Sequence, residues 1–190
     1  MKVFLPYIFQ KMMRRLIVFM LLMVIMPCGF AQITTNEMPP SFSHEKQLRR
    51  SAIRYLELEK PDVKALIQED KKLAEDKSIP WRFGEAVSVR LEINKDGNRY
   101  ENSEGKIIWR PNIRAKDAVS LNLNFSEFHL SEHAALFLYG ENYTDVLGAI
   151  THRNNKENKL FATRPILGES LHLELIVPKA EWEDNQIKIE

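Results

Sequence analysis

Ser126 and His129 lie three residues apart in this sequence and raise the question of nucleophilic catalysis. A serine becomes a nucleophile when a histidine held by a carboxylate accepts its proton, and it usually sits on a glycine-rich turn where backbone amides reach the oxyanion. Ser126 instead lies between Phe125 and Phe128, beside His129, in a stretch typical of a strand. The chain contains neither Gly-x-Ser-x-Gly nor Gly-Asp-Ser-Gly. The sequence therefore predicts no serine nucleophile and no enzymatic activity.

The five histidines raise the question of metal binding. His129 and His133 are four residues apart, a spacing that brings two ligands together on a helix but not in a strand followed by a turn. The other three are scattered and have no cysteine near them: His44, His152 and His172. His172 and Glu174 alternate with leucines, which favours a solvated strand face. We therefore expect no catalytic, cofactor-binding or metal-binding residues and no cofactor.

The first 31 residues have the features of a signal peptide. Basic residues precede an uninterrupted apolar run at positions 16–26, which is shorter than the roughly 20 apolar residues that a membrane helix needs. Gly29 and Ala31 are small residues where a signal peptidase would read them, so we predict cleavage after Ala31. The expected location is secreted, periplasmic or at the cell surface, with no stable membrane span after cleavage.

Cleavage would also change the chemistry that is open to the chain. Cys28 is the only cysteine and would be removed, so no disulfide, thiolate nucleophile or cysteine-bound zinc is expected. Cleavage also removes four of the 27 basic residues and none of the 26 acidic ones. The resulting small excess of negative charge argues against nucleic acid as a partner.

The elements that would position these side chains begin with an extended leader, residues 32–60. Within it, residues 32–42 carry two prolines and are expected to dock weakly or not at all. A short amphipathic helix follows, because Pro61 and Asp62 suit a helix start and Lys71, Lys72 and Lys77 suit its end. We predict that the acidic and basic side chains here form its solvated face.

From Trp81 onward the pattern changes to strands. Apolar residues alternate from Val87 to Ile93, and the following Asp96-Gly97 is the strongest short-range signal of a hairpin turn. A second turn is predicted at Glu104-Gly105. Further strands are predicted at residues 119–125, 134–139, 146–150, 171–177 and 186–189. About seven to nine strands suit two packed sheets, so we predict a mostly β fold, an antiparallel β-sandwich with a short N-terminal α-helix.

Residues 118–178 also carry a more specific pattern. A serine and alternating apolar residues lead to two phenylalanines and a leucine, then to a small turn and an Ala-x-Leu-Phe-x-Tyr strand, and further motifs follow that strand. The matching residues are Ser120, Leu121, Phe125, Phe128, Leu130, Ala134, Leu136, Phe137, Tyr139, Val146, Leu147, Gly148, Thr151, Asn154, Asn155, Phe161, Ala162, Thr163, Pro165, Ile166, Gly168, Leu171, Leu173, Glu174, Leu175 and Pro178. This pattern resembles the non-catalytic N-terminal pro-region of secreted bacterial lysyl endopeptidase-like serine proteases of the trypsin class.

The departures from the family pattern fall at turns. Lys116 and Asp117 stand where the family usually has Pro-Gly, and Ser131 and His133 stand where it has Pro-x-Gly. Aspartate tolerates a left-handed backbone and histidine does so occasionally, so we expect these turns to form at a cost of about 1 kcal/mol.

The predicted helix and jelly-roll-like sandwich make up one domain, residues 61–190. The resemblance implies that this domain aids the folding of a protease domain or keeps it inactive. The protease domain itself is not in this sequence. A trypsin-class serine protease domain is then the expected partner, and the chain could be a severed pro-region. The alternative is a free-standing carbohydrate-binding or adhesion module, with a surface glycan as partner. Exposed aromatic residues would serve that role, although a small sandwich uses most of its aromatics inside.

Overall fold

A computed structural model describes residues 37–40, 42, 54–141 and 145–190 of the protein. The predicted signal peptide, Cys28 and most of the predicted leader lie outside the described residues. One helix, α1, spans Val63–Leu73. The strands are β1 Tyr55–Glu57, β2 Leu91–Glu92, β3 Asn98–Glu101, β4 Lys106–Arg110, β5 Asn112–Arg114, β6 Ser120–Leu121, β7 Asn124–His129, β8 Ala135–Gly140, β9 Val146–Ile150, β10 Phe161–Ala162, β11 Ile166–Leu167, β12 Ser170–Pro178 and β13 Gln186–Ile189.

The largest sheet has seven strands and is organised around β12. β8 pairs with one edge of β12, and β4 and β5 pair with successive halves of its other edge. β4 and β5 are separated by Pro111, whose carbonyl still accepts a hydrogen bond from the Leu173 amide at 3.1 Å. β3, β9 and β1 extend the sheet outward, and only the β1–β5 pair is parallel. Thus β12 is bonded to three other strands.

Two smaller sheets accompany the large one. Four strands pair in the order β10-β7-β13-β2, and β11 pairs with β6. Phe125, Phe128 and Phe161 pack against one another there, with the Phe128 and Phe161 rings stacked at 4.4 Å. Their side chains belong to the larger of two apolar clusters, or close against it. A β-rich fold with mainly antiparallel pairing is therefore confirmed, while its arrangement as a jelly-roll-like sandwich stays a prediction.

The two faces of β12 are both buried. Leu171, Leu173, Leu175 and Val177 point into the larger apolar cluster. The alternate positions carry His172, Glu174 and Ile176 on the opposite face, where Ile176 joins a smaller cluster that also holds Ile108, Phe137, Tyr139 and Ala149. A strand that is buried on both faces cannot turn its polar side chains toward water, so they need partners within the protein.

Helix α1 confirms the predicted helix. The Asp62 carboxylate caps its N-terminus by accepting hydrogen bonds from the Lys64 and Ala65 amides, both at 3.1 Å. Lys71 and Lys72 lie in its last turn, where positive charge is favourable. None of its residues is buried. The helix is therefore held by its capping and its ion pairs more than by burial of an apolar face.

The predicted hairpin at Asp96-Gly97 is wrong. β2 pairs with β13 in the four-stranded sheet, while β3 pairs with β4 in the seven-stranded sheet. The turn therefore carries the chain from one sheet to the other. Asp-Gly supplies the tight turn with Gly97 at φ +81°, but the partner of each strand is decided by distant residues. The Glu104-Gly105 turn does form a hairpin, between β3 and β4.

Three further details differ from or refine the sequence expectations. Tyr55–Glu57, within the segment assigned to the leader, forms β1 and pairs with β5. The Phe42 ring, also in that segment, meets the Tyr139 ring edge-on at 5.0 Å. The strand predicted at residues 119–125 is divided between β6 and β7, which lie in different sheets.

Of the two turns that depart from the family pattern, the one at Lys116-Asp117 has a residue with a left-handed backbone. His133, in the other turn, has no positive φ. Asp117 adopts the left-handed backbone expected there, with φ 63°, and its carboxylate bonds to Lys60 Nζ at 2.5 Å. The strands predicted at residues 134–139, 146–150, 171–177 and 186–189 all form. Within the part of the chain that the structure covers, no helix is long and apolar enough to span a membrane.

Gly97 offers a test of the turn between the sheets. A methyl group on Gly97 would meet Trp109 Nε1 at 2.8 Å, and this nitrogen bonds to the Asp96 carbonyl at 2.5 Å. We expect Gly97→Ala to lower the free energy of unfolding by more than about 2 kcal/mol, because steric overlap adds to the left-handed backbone penalty. Chemical denaturation measures this.

Gly105→Ala is the matched control. Gly105 has a similar φ of +75° but no atom within 4 Å of the added methyl group. We expect a loss of about 1 kcal/mol there, from the backbone alone. Equal losses in the two variants would contradict a steric role for the Gly97 contact.

Candidate functional site

A buried set of polar side chains lies on one face of the seven-stranded sheet. Arg110, Asn112, Tyr139, His172 and Glu174 share the face of the sheet that carries the smaller apolar cluster, and we call them the polar cluster. The strand register brings them together, because His172 pairs with Tyr139 on one side and with Asn112 on the other. Asn112, Tyr139, His172 and Glu174 are all buried.

One half of the polar cluster is a charged network. The Tyr139 hydroxyl donates to Glu174 Oε2 at 3.0 Å and accepts a hydrogen bond from Arg110 Nη2 at 2.8 Å. Arg110 Nε lies 3.4 Å from the same Glu174 oxygen, an ion-pair contact without hydrogen-bond geometry. Burial lowers the pKa of Arg110, but Tyr139 and Glu174 outweigh that effect and the net pKa is raised. Arg110 therefore supplies positive charge to a fully buried carboxylate.

The other half of the polar cluster holds a neutral histidine. His172 Nδ1 lies 2.6 Å from Asn112 Oδ1, and Asn112 Nδ2 donates to the Arg54 carbonyl at 3.3 Å. The amide therefore offers its oxygen to the ring, so Nδ1 carries the proton. Burial, helped by the charges of Arg110 and Arg114, lowers the pKa of His172 to about 4. The imidazole is uncharged at neutral pH.

Aromatic rings surround this histidine. The Tyr139 ring stacks on it with centroids 5.3 Å apart, and the Tyr55 ring meets it edge-on at 5.8 Å. The Arg114 guanidinium lies over the Tyr55 ring, 3.7 Å from its centre. Tyr55 belongs to β1, so a strand from the predicted leader completes the surroundings of His172.

A cavity of about 300 Å³ adjoins the polar cluster at Arg110 and Asn112. Its lining includes the cationic side chains of Arg54, Lys95 and Arg110, and one carboxylate, Asp96, which accepts the Glu92 amide at 2.8 Å. No serine, threonine, cysteine or histidine is among the described lining residues. Such a lining suits contact with polar groups better than nucleophilic catalysis.

Ser126 and His129 occupy separate environments on β7. Ser126 is half-buried, and its hydroxyl donates to the Lys188 carbonyl at 3.4 Å, across the strand pair. His129 is exposed. Ser126 and His129 are close in sequence, but the Ser126 hydroxyl bonds to a backbone carbonyl and not to the His129 ring.

The other histidines are also placed apart from one another. His133 Nδ1 lies 2.6 Å from Glu181 Oε1, and His152 Nδ1 lies 2.9 Å from the Glu132 carbonyl. His44 is outside the described residues. Among the residues that the structure describes, no group of three histidine, cysteine or acidic side chains is arranged to hold a metal ion.

The expectation that His172 and Glu174 lie on a solvated strand face is wrong, since both are buried. The alternating pattern of β12 is that of a one-sided strand, but β12 lies in the middle of the sheet and a second apolar cluster covers its other face. The run Ile176-Val177, where the alternation ends, was the signal in the sequence that both faces are covered.

Six aromatic residues are candidates for glycan stacking: Trp81, Tyr100, Trp109, Tyr139, Tyr143 and Trp182. Three of them lie inside, and Tyr100 is 38 % exposed. Trp109, Tyr139 and Trp182 are buried, and Arg99 lies 5.0 Å above the Trp182 ring. Trp81, in contrast, is 85 % exposed. Tyr143 is outside the described residues.

The low pKa of His172 predicts a defined pH dependence. An unfolded histidine titrates near pH 6.5, so between about pH 6.5 and 4 the unfolded chain binds a proton that the folded chain does not. Stability should therefore be complete above pH 7 and decline by about 3 kcal/mol as the pH falls to 4. Denaturation at several pH values, with NMR titration of the ring, measures it.

His172→Gln removes this titration while keeping a group that can donate to Asn112. Its stability, lower at pH 7 because the ring packing is lost, should depend less on pH between 6.5 and 4.5. His152→Gln, at an exposed site, is the control and should keep the wild-type slope. A His172 pKa above 6 would contradict the burial argument.

A double-mutant cycle tests the charged network. Removing one partner leaves an uncompensated buried charge, so Arg110→Met and Glu174→Met should each cost about 3–5 kcal/mol. The double variant should lose clearly less than the two single losses combined. Additive losses would show that the two groups do not compensate each other.

No protein-family model matches the sequence, and neither the curated proteins nor the solved structures contain a significant match.

Proposed function

We propose that the chain is an exported, non-catalytic domain that binds a trypsin-class serine protease domain and aids its folding or keeps it inactive. The proposal extends the resemblance to the pro-regions of lysyl endopeptidase-like proteases. The finer architecture, a jelly-roll-like sandwich, is part of the same proposal. Binding of this kind needs no chemistry from the domain itself, because a ligand that binds only the folded protease stabilises that state by mass action.

The observation that carries the proposal is a concentration of exposed apolar side chains. Twelve large apolar residues are exposed in the described chain, and half of them fall within residues 63–83. We call these six the apolar stretch: Val63, Ile67, Leu73, Ile79, Trp81 and Phe83. Single exposed apolar residues are ordinary, whereas six of them within 21 residues of sequence favour an interaction surface.

The apolar stretch is held in place by an ion-pair clamp. Arg82 lies between the two exposed aromatic residues, and its guanidinium bonds to Glu69 and Asp70 on α1 at 2.8 and 2.9 Å. A third carboxylate, Glu85, lies 2.5 Å from Arg82 Nη1. Each exposed pair alone is worth little, but three carboxylates on one guanidinium fix the segment against the helix. Trp81 and Phe83 are thereby presented outward.

The residues of the resemblance support the proposal in a different way. Phe125, Phe128, Leu130, Leu136 and Tyr139 are all buried, so these residues of the matching pattern lie in the interior of the fold, whereas Ala162 is exposed. A shared interior supports a shared architecture, whereas function depends on the surface. The surface argument therefore rests on the apolar stretch.

Trp81 also favours the second candidate, a glycan-binding or adhesion module. A flat aromatic side chain that is 85 % exposed can stack on a sugar ring. Phe83, two residues away and 89 % exposed, has no polar group to bond sugar hydroxyls. An apolar pair of this kind suits a protein surface better than a sugar.

The experiment measures binding of the chain, without its first 31 residues, to a purified lysine-specific serine protease of the trypsin class, by calorimetry and by inhibition of amide hydrolysis. We expect a complex, and a loss of affinity of about tenfold or more in Trp81→Ser/Phe83→Ser, because aromatic anchors dominate such interfaces. Stability should be unaffected, since both side chains are exposed.

Val119→Ser is the matched control, because Val119 is 83 % exposed but lies outside the apolar stretch. It should bind as the wild type does. Absence of any complex, together with retention on a glycan array that depends on Trp81, would replace the protease proposal with the adhesion module.

A further inference from the structure

Residues 80–90, which we call the open strand, connect the end of the α1 region to β2. Within the described chain, no backbone amide or carbonyl of these residues makes a hydrogen bond. Most backbone groups in proteins are paired, so an eleven-residue stretch without partners is unusual unless water or another chain supplies them.

The open strand nevertheless has the side-chain pattern of a strand. Val87 and Val89 are half-buried, while Ala86, Ser88 and Arg90 are exposed. Val89 packs against the larger apolar cluster, and the same parity continues into Leu91 and Ile93, which are buried. The segment therefore turns Val87 and Val89 inward, although its backbone is bonded to no neighbour.

Both ends of the open strand are fixed. The Arg82 clamp holds its beginning on α1, and at its end Leu91 pairs with Ile189. A tethered strand loses less conformational entropy when it acquires a partner than a free loop does.

The unpaired edge can be located from the groups of β2. At Glu92 the edge turned away from β13 is closed, because its amide donates to Asp96 Oδ2 at 2.8 Å and its carbonyl accepts the Lys95 and Asp96 amides. Residues of the same parity turn their backbone groups the same way, about 6.8 Å apart. The outer edge of the four-stranded sheet is therefore continued by the amides and carbonyls of Ala86, Ser88 and Arg90, whereas those of Val87 and Val89, also unbonded, face the β13 side.

We propose that a segment of the serine protease partner adds to the sheet as an extended strand along this edge. The inference rests on the proposed function and gives it a contact mode. A row of donors and acceptors at two-residue spacing is matched by another extended backbone, which is the basis of recognition by strand addition. Trp81 and Phe83, at the start of the same segment, supply the side-chain contacts that accompany it.

Proline at position 88 provides the test. Ser88→Pro deletes an outward amide that has no partner within the protein, and proline suits an extended backbone, so the fold should be kept. Ser88→Ala keeps the amide and removes only the hydroxyl, which makes it the matched control. With the lysine-specific protease as probe, we expect Ser88→Pro to lose about tenfold or more in affinity and Ser88→Ala to lose about twofold or less.

Ala86→Pro repeats the test at the next outward amide, and circular dichroism with thermal unfolding checks that each variant folds. Loss of affinity in both proline variants with native unfolding transitions supports the inference. Wild-type affinity in both overturns it and leaves the proposed function standing. A wild-type chain that binds no protease overturns both. A dimer of the chain alone that Ser88→Pro dissociates would give the edge to a second copy and overturn the protease assignment.

Discussion

The burial of β12 on both faces is the constraint on which the rest of the structure depends. A strand that bonds three neighbours and faces two apolar clusters leaves no room for water at Glu174 or His172. An isolated carboxylate there would be very costly, so a cation and a hydroxyl must reach it from adjoining strands. This requirement fixes Arg110 on β4 and Tyr139 on β8. The polar cluster thus ties four strands, β4, β5, β8 and β12, into one register, because a slip of one residue would bury unpaired charges.

Local sequence patterns predicted most of the elements but not their partners. The cap at Asp62 and the strands at residues 146–150 and 186–189 follow from nearby residues alone, and they form as expected. The Asp96-Gly97 turn also forms, but whether it closes a hairpin depends on β13 and β4, which are distant in sequence. Sheet pairing is decided by packing over long separations, which short windows cannot contain.

The polar cluster was missed for the same reason. The sequence Leu-His-Leu-Glu-Leu is typical of a strand with one buried and one solvated face. Nothing in those five residues indicates that Ile108, Phe137 and Ile176 form a second apolar layer. The open strand shows the reverse case, since its alternation predicts a strand and its side chains behave as one, yet its backbone has no partner. In both cases a short sequence pattern predicts the strand but not the residues that cover its second face or pair with its backbone.

The place of β13 has a consequence for the time course of folding. This strand lies between β7 and β2 in its sheet, and its pairing with β2 joins residues about a hundred positions apart in sequence. Neither neighbour can complete its ladder until residues 186–189 have been synthesised, so that sheet assembles only after β13 has emerged. Contacts of such high order fold slowly, and β2 and β7 stay open to wrong partners meanwhile. Factors that shield β2 and β7 until β13 arrives would therefore favour correct assembly of this sheet.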